Sequence, residues 1–135
     1  MASVVLISSI IACTARAADQ AAVEQASKVA GSWLKLVDDA NYRQSWNDAS
    51  SYFRNAITEE QWDQKVGATR KPLGGLVSRK IKIAQYATSL PGAPDGQYVV
   101  IQYDSSFENK KSAVETVTPM LDKDGQWRVS GYYIK

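Results

Sequence analysis

Arg79 raises the first chemical question in this sequence. It falls in the alternating run Val77, Arg79, Ile81, Ile83, so by strand parity its guanidinium points to the same side as three apolar side chains, toward a core or a pocket. A guanidinium taken out of water needs a partner, because a buried charge persists when it is paired and hydrogen-bonded. Glu115, between Ala113 and Val117 in a later alternating run, is the candidate partner. Tyr103 and Tyr133 lie on the inward parity of their own strands and would complete a polar lining. Two readings stay open. In one, Arg79 receives a small anion through a bidentate contact, with tyrosine hydroxyls and tryptophan faces as walls. In the other, Arg79 and Glu115 form a structural ion pair, or Arg79 sits on the surface.

The same residues allow an enzyme, an isomerase or dehydratase in which Glu115 is the base and Tyr103 or Tyr133 donates to a developing oxyanion. An adjacent guanidinium, however, favours the charged carboxylate and weakens it as a base, so the two roles compete for one residue. Asp104 lies on the opposite parity from Tyr103 and cannot easily share the pocket. The chain has no histidine, and its one cysteine, Cys13, lies near the N-terminus. Histidine triads, zinc hydrolases, thiol nucleophiles and histidine-based pH switches are therefore excluded, and no cofactor or metal is implied. These absences favour a non-catalytic binding or interaction module over the enzyme.

Charge narrows the partners. With 16 basic against 14 acidic residues the net charge is +2, which argues against nucleic acid. Its distribution is less even. From Gln64 through Pro94 there is no acid, while Lys65, Arg70, Lys71, Arg79, Lys80 and Lys82 supply bases. That stretch is either a solvated basic face or a surface for anionic lipid head groups, a phosphorylated glycan or an acidic envelope protein. Gly74-Gly75 lacks the spacing and the following Lys-Ser/Thr of a phosphate loop, and reads as the end of the helical half.

The elements that must position these residues begin with a leader. Val4 to Ala12 is an apolar run too short to cross a bilayer, and Ala15-Arg16-Ala17 follows it, which predicts a secretory signal over residues 1–17 and a periplasmic or secreted domain over residues 18–135. The alternative is a lipobox-like Ile10-Ile11-Ala12-Cys13, which would make Cys13 a lipid-bearing N-terminus of a membrane-anchored lipoprotein. No transmembrane span is expected in the mature chain. Val23, Ala26, Ala30, Trp33, Leu34 and Val37 predict a helix from about Asp19 to Val37. Tyr42, Trp46, Ala49 and Phe53 predict a second helix ending near Arg54, and the capping-box spacing of Thr58 and Gln61 opens a third that turns Trp62 and Val66 inward. Trp33, Trp46 and Trp62 should meet in one core.

After Gly74-Gly75 the period changes to two. Strands are expected around Val77–Ile83, Tyr98–Phe107, Ser112–Leu121 and Trp127–Tyr133, separated by the 91–96 turn, Glu108-Asn109-Lys110 and Asp124-Gly125. In the last strand Trp127, Val129 and Tyr133 are placed together. The fold class that follows is α+β, with about three N-terminal helices packed on one face of a twisted four-stranded antiparallel meander. A protein-binding alternative puts an exposed apolar patch on the outer sheet face around Tyr86, Tyr98 and Tyr132.

The segments WLKLVDDANYRQSWNDASSYFR, RKPLGGLVSRK, LPGAPDGQYVVIQYDSSFENKKSAVETVT and GQWRVSGYYIK, with Trp62 between the first two, resemble the bacterial domain-of-unknown-function family 4019 across nearly the whole mature chain. The resemblance implies an exported or membrane-attached domain and brings no catalytic residues. The order of helices and strands is also similar to the cystatin-like and nuclear-transport-factor-2-like cones, an analogy of fold that implies no function.

Overall fold

The computed structural model describes residues 7–135, with side chains from Arg16 onward. The apolar run of the expected leader and Cys13 lie outside the described side chains. Helix α1 spans Ile7–Asp38, so its N-terminal bound lies well before the expected Asp19. No Gly or Pro interrupts residues 7–19, and nothing there stops a helix from propagating. Arg16 to Ala21 are exposed, Ala22 and Val23 are half-buried, and the first buried residue is Ala26. The other end stops in a turn. Ala40 takes a left-handed φ of 59°, and the Asn41 N–H donates to the Leu36 carbonyl at 2.8 Å. That pattern is a Schellman-type C-terminus. It leaves Asp38 as the last helical residue.

The expected single helix over Tyr42–Arg54 is two, α2 (Tyr42–Asn47) and α3 (Ser51–Ala56). Ser50 makes the break. Its backbone is extended, its N–H donates to the Val129 carbonyl on the sheet, and its hydroxyl accepts from Phe53 N–H as the N-cap of α3. Helix α4 (Glu59–Arg70) opens on the capping box expected at Thr58 and Gln61, and a 3₁₀ turn (Lys71–Leu73) follows. Gly74 then turns the chain with φ 72°. Among the described residues the helical layer is thus one long helix and three shorter ones, not three.

Four strands follow: β1 (Leu76–Ala87), β2 (Tyr98–Phe107), β3 (Lys110–Leu121) and β4 (Trp127–Ile134). They form one antiparallel sheet in the order β1-β2-β3-β4, the expected meander. Four register shifts interrupt the ladders, one of them between β2 and β3 at Ser105/Phe107. Pairing between β1 and β2 skips Val77 and Lys82, and pairing between β3 and β4 skips Ser130, opposite the Thr118-Pro119 step. Proline has no N–H for the ladder, so a proline inside a strand is tolerated at a bulge. The Pro119 N faces β2, where positions 118–119 have no ladder partner, and the separate bulge on the β4 side is closed by the Ser130 hydroxyl donating to the Thr118 carbonyl at 2.7 Å.

The core lies between the helices and one sheet face. Trp33, Leu34, Val37, Trp62 and Val66 from the helices meet Val99, Ile101, Val117 and Val129 from the sheet. Trp33 and Trp62 are buried and Trp46 is half-buried, its indole N–H donating to the Ile57 carbonyl at 2.8 Å. Val77, Ile81 and Ile83, expected inside with Arg79, are exposed instead. The bulge at Lys82 puts Ile83 opposite Gln102 and gives its inward place to Ala84, opposite Ile101. The expected patch at Tyr86, Tyr98 and Tyr132 is also absent: Tyr98 is buried with its hydroxyl on the Pro94 carbonyl, and Tyr86 and Tyr132 are half-buried against the core.

Candidate functional site

The inner sheet face carries two kinds of contact side by side. Toward β4 it is aromatic. Phe53 and Trp62 stand edge to face with centroids 5.0 Å apart, Trp33 and Tyr132 at 5.5 Å, and Trp33 and Trp62 tilted at 5.9 Å. Such offset geometries are the favoured ones for ring quadrupoles. The polar tips are satisfied through buried Ser45. Trp33 N–H donates to its carbonyl at 2.8 Å, Trp62 N–H to its hydroxyl at 2.9 Å, and that hydroxyl donates to the Tyr42 carbonyl at 2.6 Å.

Toward β1 the same face is ionic. Arg79 spans two carboxylates. Its Nε and Nη2 donate to Glu115 Oε1 and Oε2 at 2.7 and 3.1 Å, and its Nη1 and Nη2 donate to Asp38 Oδ2 and Oδ1 at 2.7 and 2.9 Å. Arg70, from the last turn of α4, adds a second guanidinium. It donates to Asp38 Oδ1 at 2.8 Å, approaches Glu115 Oε2 at 4.0 Å, and lies over the Phe107 ring at 4.8 Å. Two cations and two anions therefore balance within one cluster. Glu115 is fully buried, and both its oxygens are engaged further: Ser105 Oγ donates to Oε1 at 2.6 Å and the Tyr132 hydroxyl to Oε2 at 2.5 Å.

The electrostatics follow from this pairing. Burial alone would push the Asp38 carboxyl up, but hydrogen bonds from Arg79 and Arg70 outweigh it and hold the group below the usual carboxylate range. Burial would also favour a neutral Arg79, yet its bonds to Asp38 and Glu115 hold the guanidinium more firmly charged than usual. The Tyr132 hydroxyl is raised first by burial and then by the Glu115 charge, so it stays a donor. Tyr103 sits beside the cluster without joining it. Burial pushes its hydroxyl up to about 12, with Arg79 opposing and Glu115 adding, and the buried oxygen has no hydrogen-bond partner.

Arg79 and Glu115 are thus brought together, Tyr103 lies near them, and Tyr133 does not. Tyr133 is 56% exposed on the opposite face. The inward parity expected for it fails at the Ser130 bulge, which leaves Val129 pointing in, puts Tyr132 opposite inward Val117, and turns Tyr133 out. Asp38, Arg70, Ser105 and Tyr132 complete the cluster; the sequence places Arg70 only in the basic stretch and Tyr132 only in the outer patch, and does not single out Asp38 or Ser105. Two of them carried a readable signal. Asp38 continues the inward stripe Ala30, Leu34 at spacing four, and Arg70 continues Trp62, Val66 in the same way. The basic stretch shrinks accordingly, because Arg70 and Arg79 point into the protein and leave Lys65, Lys71, Lys80 and Lys82 on the surface.

Chemically, the cluster acts as a charge-neutral clamp. It ties the C-terminal ends of α1 and α4 to β1 and β3. Surface cavities of about 160 to 890 Å³ occur around the domain; Arg79 and Ser105 line one of about 490 Å³, while Asp38, Arg70, Tyr103 and Glu115 line none of the five described. No group of three or more His, Cys, Asp or Glu side chains with metal-binding geometry occurs among the described residues. No helix among them is long and apolar enough to cross a membrane.

The fold and site define a helix-on-sheet α+β domain organised around a buried ion cluster. Residues 29–132 match the family described as protein of unknown function (DUF4019), and the chain belongs to that family. No curated protein matches the chain.

Proposed function

We propose that this protein is a non-catalytic interaction module of the cell envelope, with an envelope protein as its partner and its working surface outside the interior ion cluster. The observation that carries this reading is the mutual saturation of Arg79 and Glu115. The Arg79 fork is spent on Asp38 and Glu115, and both Glu115 oxygens already accept two hydrogen bonds each. An anion arriving at Arg79 would have to displace a carboxylate, and Glu115 would have to shed its donors to act as a base. In a cystatin-like or nuclear-transport-factor-2-like cone the inner face can open as a pocket; we read this face as filled by ions and rings.

The test is a titration of the isotope-labelled full chain with inorganic phosphate and with acetate, following the Arg79 Nε–H resonance. It is expected to stay in place. A saturable shift would overturn the reading in favour of an anion pocket at Arg79, Glu115, Tyr103 and the residues around them.

The compartment is part of the same proposal. Cleavage after Ala17 would release residues 18–135 into the periplasm or medium, and exposure of Arg16 to Ala21 means that this cut removes no buried contact among the described residues. Mass spectrometry of the protein from its own cells should find Ala18 as the first residue. A lipid mass on Cys13 would replace this with a membrane-anchored form.

A further inference from the structure

The free edge of β4 has a groove beside it. Two adjoining cavities of about 570 and 160 Å³ lie between α4 and the last strand, and both are walled by Trp62, Lys65 and Tyr132. On the helical side Trp62, Lys65, Val66 and Thr69 share one face of α4. On the strand side, residues 130–132 line one cavity and 132–134 the other without a gap. Successive side chains of a strand point to opposite faces, so a cavity walled by three consecutive residues runs along the strand's edge and not across a face. β4 is the last strand in the sheet order, and its outer edge has no strand partner among the described residues. An unpaired edge is a template for one more strand.

We propose that this groove takes an extended peptide segment of a partner protein, added to β4 as a fifth strand alongside α4. An apolar side chain of the peptide rests on the half-buried Tyr132 ring, over the buried Trp62, and a carboxylate meets Lys65. This assignment rests on the interaction-module reading and names its partner chemistry.

Each feature of the occupant follows from the walls. The Trp62 N–H and the Tyr132 O–H are turned inward onto Ser45 and Glu115, so the groove offers ring surface and no polar tips from these two residues. Lys65 is the one charged side chain lining either cavity, and it has no ion-pair partner within the described residues, which selects for an anionic group. Gly131 leaves the backbone bare midway along the groove. Strand addition uses such a surface: the backbone ladder gives affinity and the alternate side-chain positions give specificity. A second copy fits less well, because its own α4 would arrive with its β4 at an edge that α4 already flanks. The opposite edge is blunted differently, with exposed Lys80 and Lys82 and two bulges on β1.

The experiment pans a phage-displayed library of random nonapeptides against the full chain and resynthesises the enriched sequences. They are expected to pair an apolar residue with a nearby Asp, Glu or C-terminal carboxylate. Binding should weaken about tenfold on Lys65→Glu, a change at an exposed position. N-methylation of every second peptide amide should abolish binding in one register and be tolerated in the other, because a fifth strand turns alternate amides toward β4. Slower amide exchange at residues 130–134 in the complex is the matching signal on the protein. Peptides indifferent to Lys65→Glu and to both methylation registers would overturn the groove while leaving the interaction-module reading in place. An unenriched library, or dimers of the chain joined through β4, would overturn the peptide assignment.

Discussion

On the β4 side of the inner sheet face Phe53, Trp62, Trp33 and Tyr132 meet ring to ring, whereas on the β1 side Asp38, Arg70, Arg79 and Glu115 meet charge to charge. Both regions hold helices on the sheet. Ring contacts draw on apolar area and tolerate modest displacement. The ionic contacts draw on geometry, since removing four charges from water costs about as much as their attraction returns. The aromatic side therefore supplies most of the stability, and the ionic side fixes where α1 and α4 end relative to β1 and β3. Tyr132 belongs to both, with its ring in one and its hydroxyl in the other.

The largest expected effect tests that asymmetry directly. Glu115→Ala leaves two guanidinium groups facing Asp38 alone in a buried site, and chemical denaturation should report a loss of about 3–5 kcal/mol. Exchanging all four members together for apolar residues of similar volume should cost far less and can be neutral. Comparable losses in both variants would break the comparison, because the ion cluster would then be a net source of stability.

Tyr132→Phe comes next. The ring stays and the hydroxyl that donates to Glu115 is lost, so a cost of about 1.5–3 kcal/mol is expected, in the range of a hydrogen bond to a charged group. A cost near zero would mean that the two regions are energetically separate.

Acid should act through the paired carboxylates and not through the ring contacts. The folded-state pKa of Asp38 is depressed, so its contribution is fully present above the ordinary value of 3.8 and is lost as pH falls through the lower folded value. Asp122, held down to about 2 by hydrogen bonds from Ser51 and Lys123 against the opposing effect of burial, adds acid sensitivity of the same sign where α3 meets the end of β3. Stability measured from pH 5 downward should fall less steeply in Asp38→Asn than in the unaltered chain. Identical slopes would remove Asp38 from the account.

The sequence made some of this legible and hid the rest for identifiable reasons. Period two after Gly75 and the turn residues at 91–96 and 124–125 were enough for the four-stranded meander, and the Thr58–Gln61 spacing was enough for the start of α4. The break at Ser50 was hidden because it depends on a hydrogen bond to Val129, almost eighty positions away, which no local pattern reports. Arg79 stood out because it interrupts an apolar face. Asp38 and Arg70 did not, because each closes a helix, where a charge reads as a solvated last turn. Strand parity carried Glu115 correctly inward but failed past the bulges at Lys82 and Ser130. The bulge at Ser130 had no signal in the sequence, because Pro119, which stands opposite it, lacks its N–H on the β2 side of the strand and not on the β4 side.

The adjacent tyrosines of β4 give that last point its test, with the smallest expected effect. If the Ser130 bulge sets their directions, Tyr133→Ser removes a side chain that is 56% exposed on the outer face and should change stability by no more than about 0.5 kcal/mol. The neighbouring Tyr132→Phe deletes only one oxygen and should still cost several times more. Were β4 to continue without the bulge, Tyr133 would face the helices with Val129 and the ranking would invert. Replacing Pro119 with valine restores an N–H toward β2 and leaves the β4 side of the strand to set its own register. In that background the strand has a choice between the bulged register, which keeps Tyr132 on Glu115, and the straight one, which places Tyr133 inward. The ion cluster decides between them: a buried Glu115 that loses the Tyr132 hydroxyl is penalised, so Pro119→Val should retain the bulge and the two tyrosine variants should keep their order.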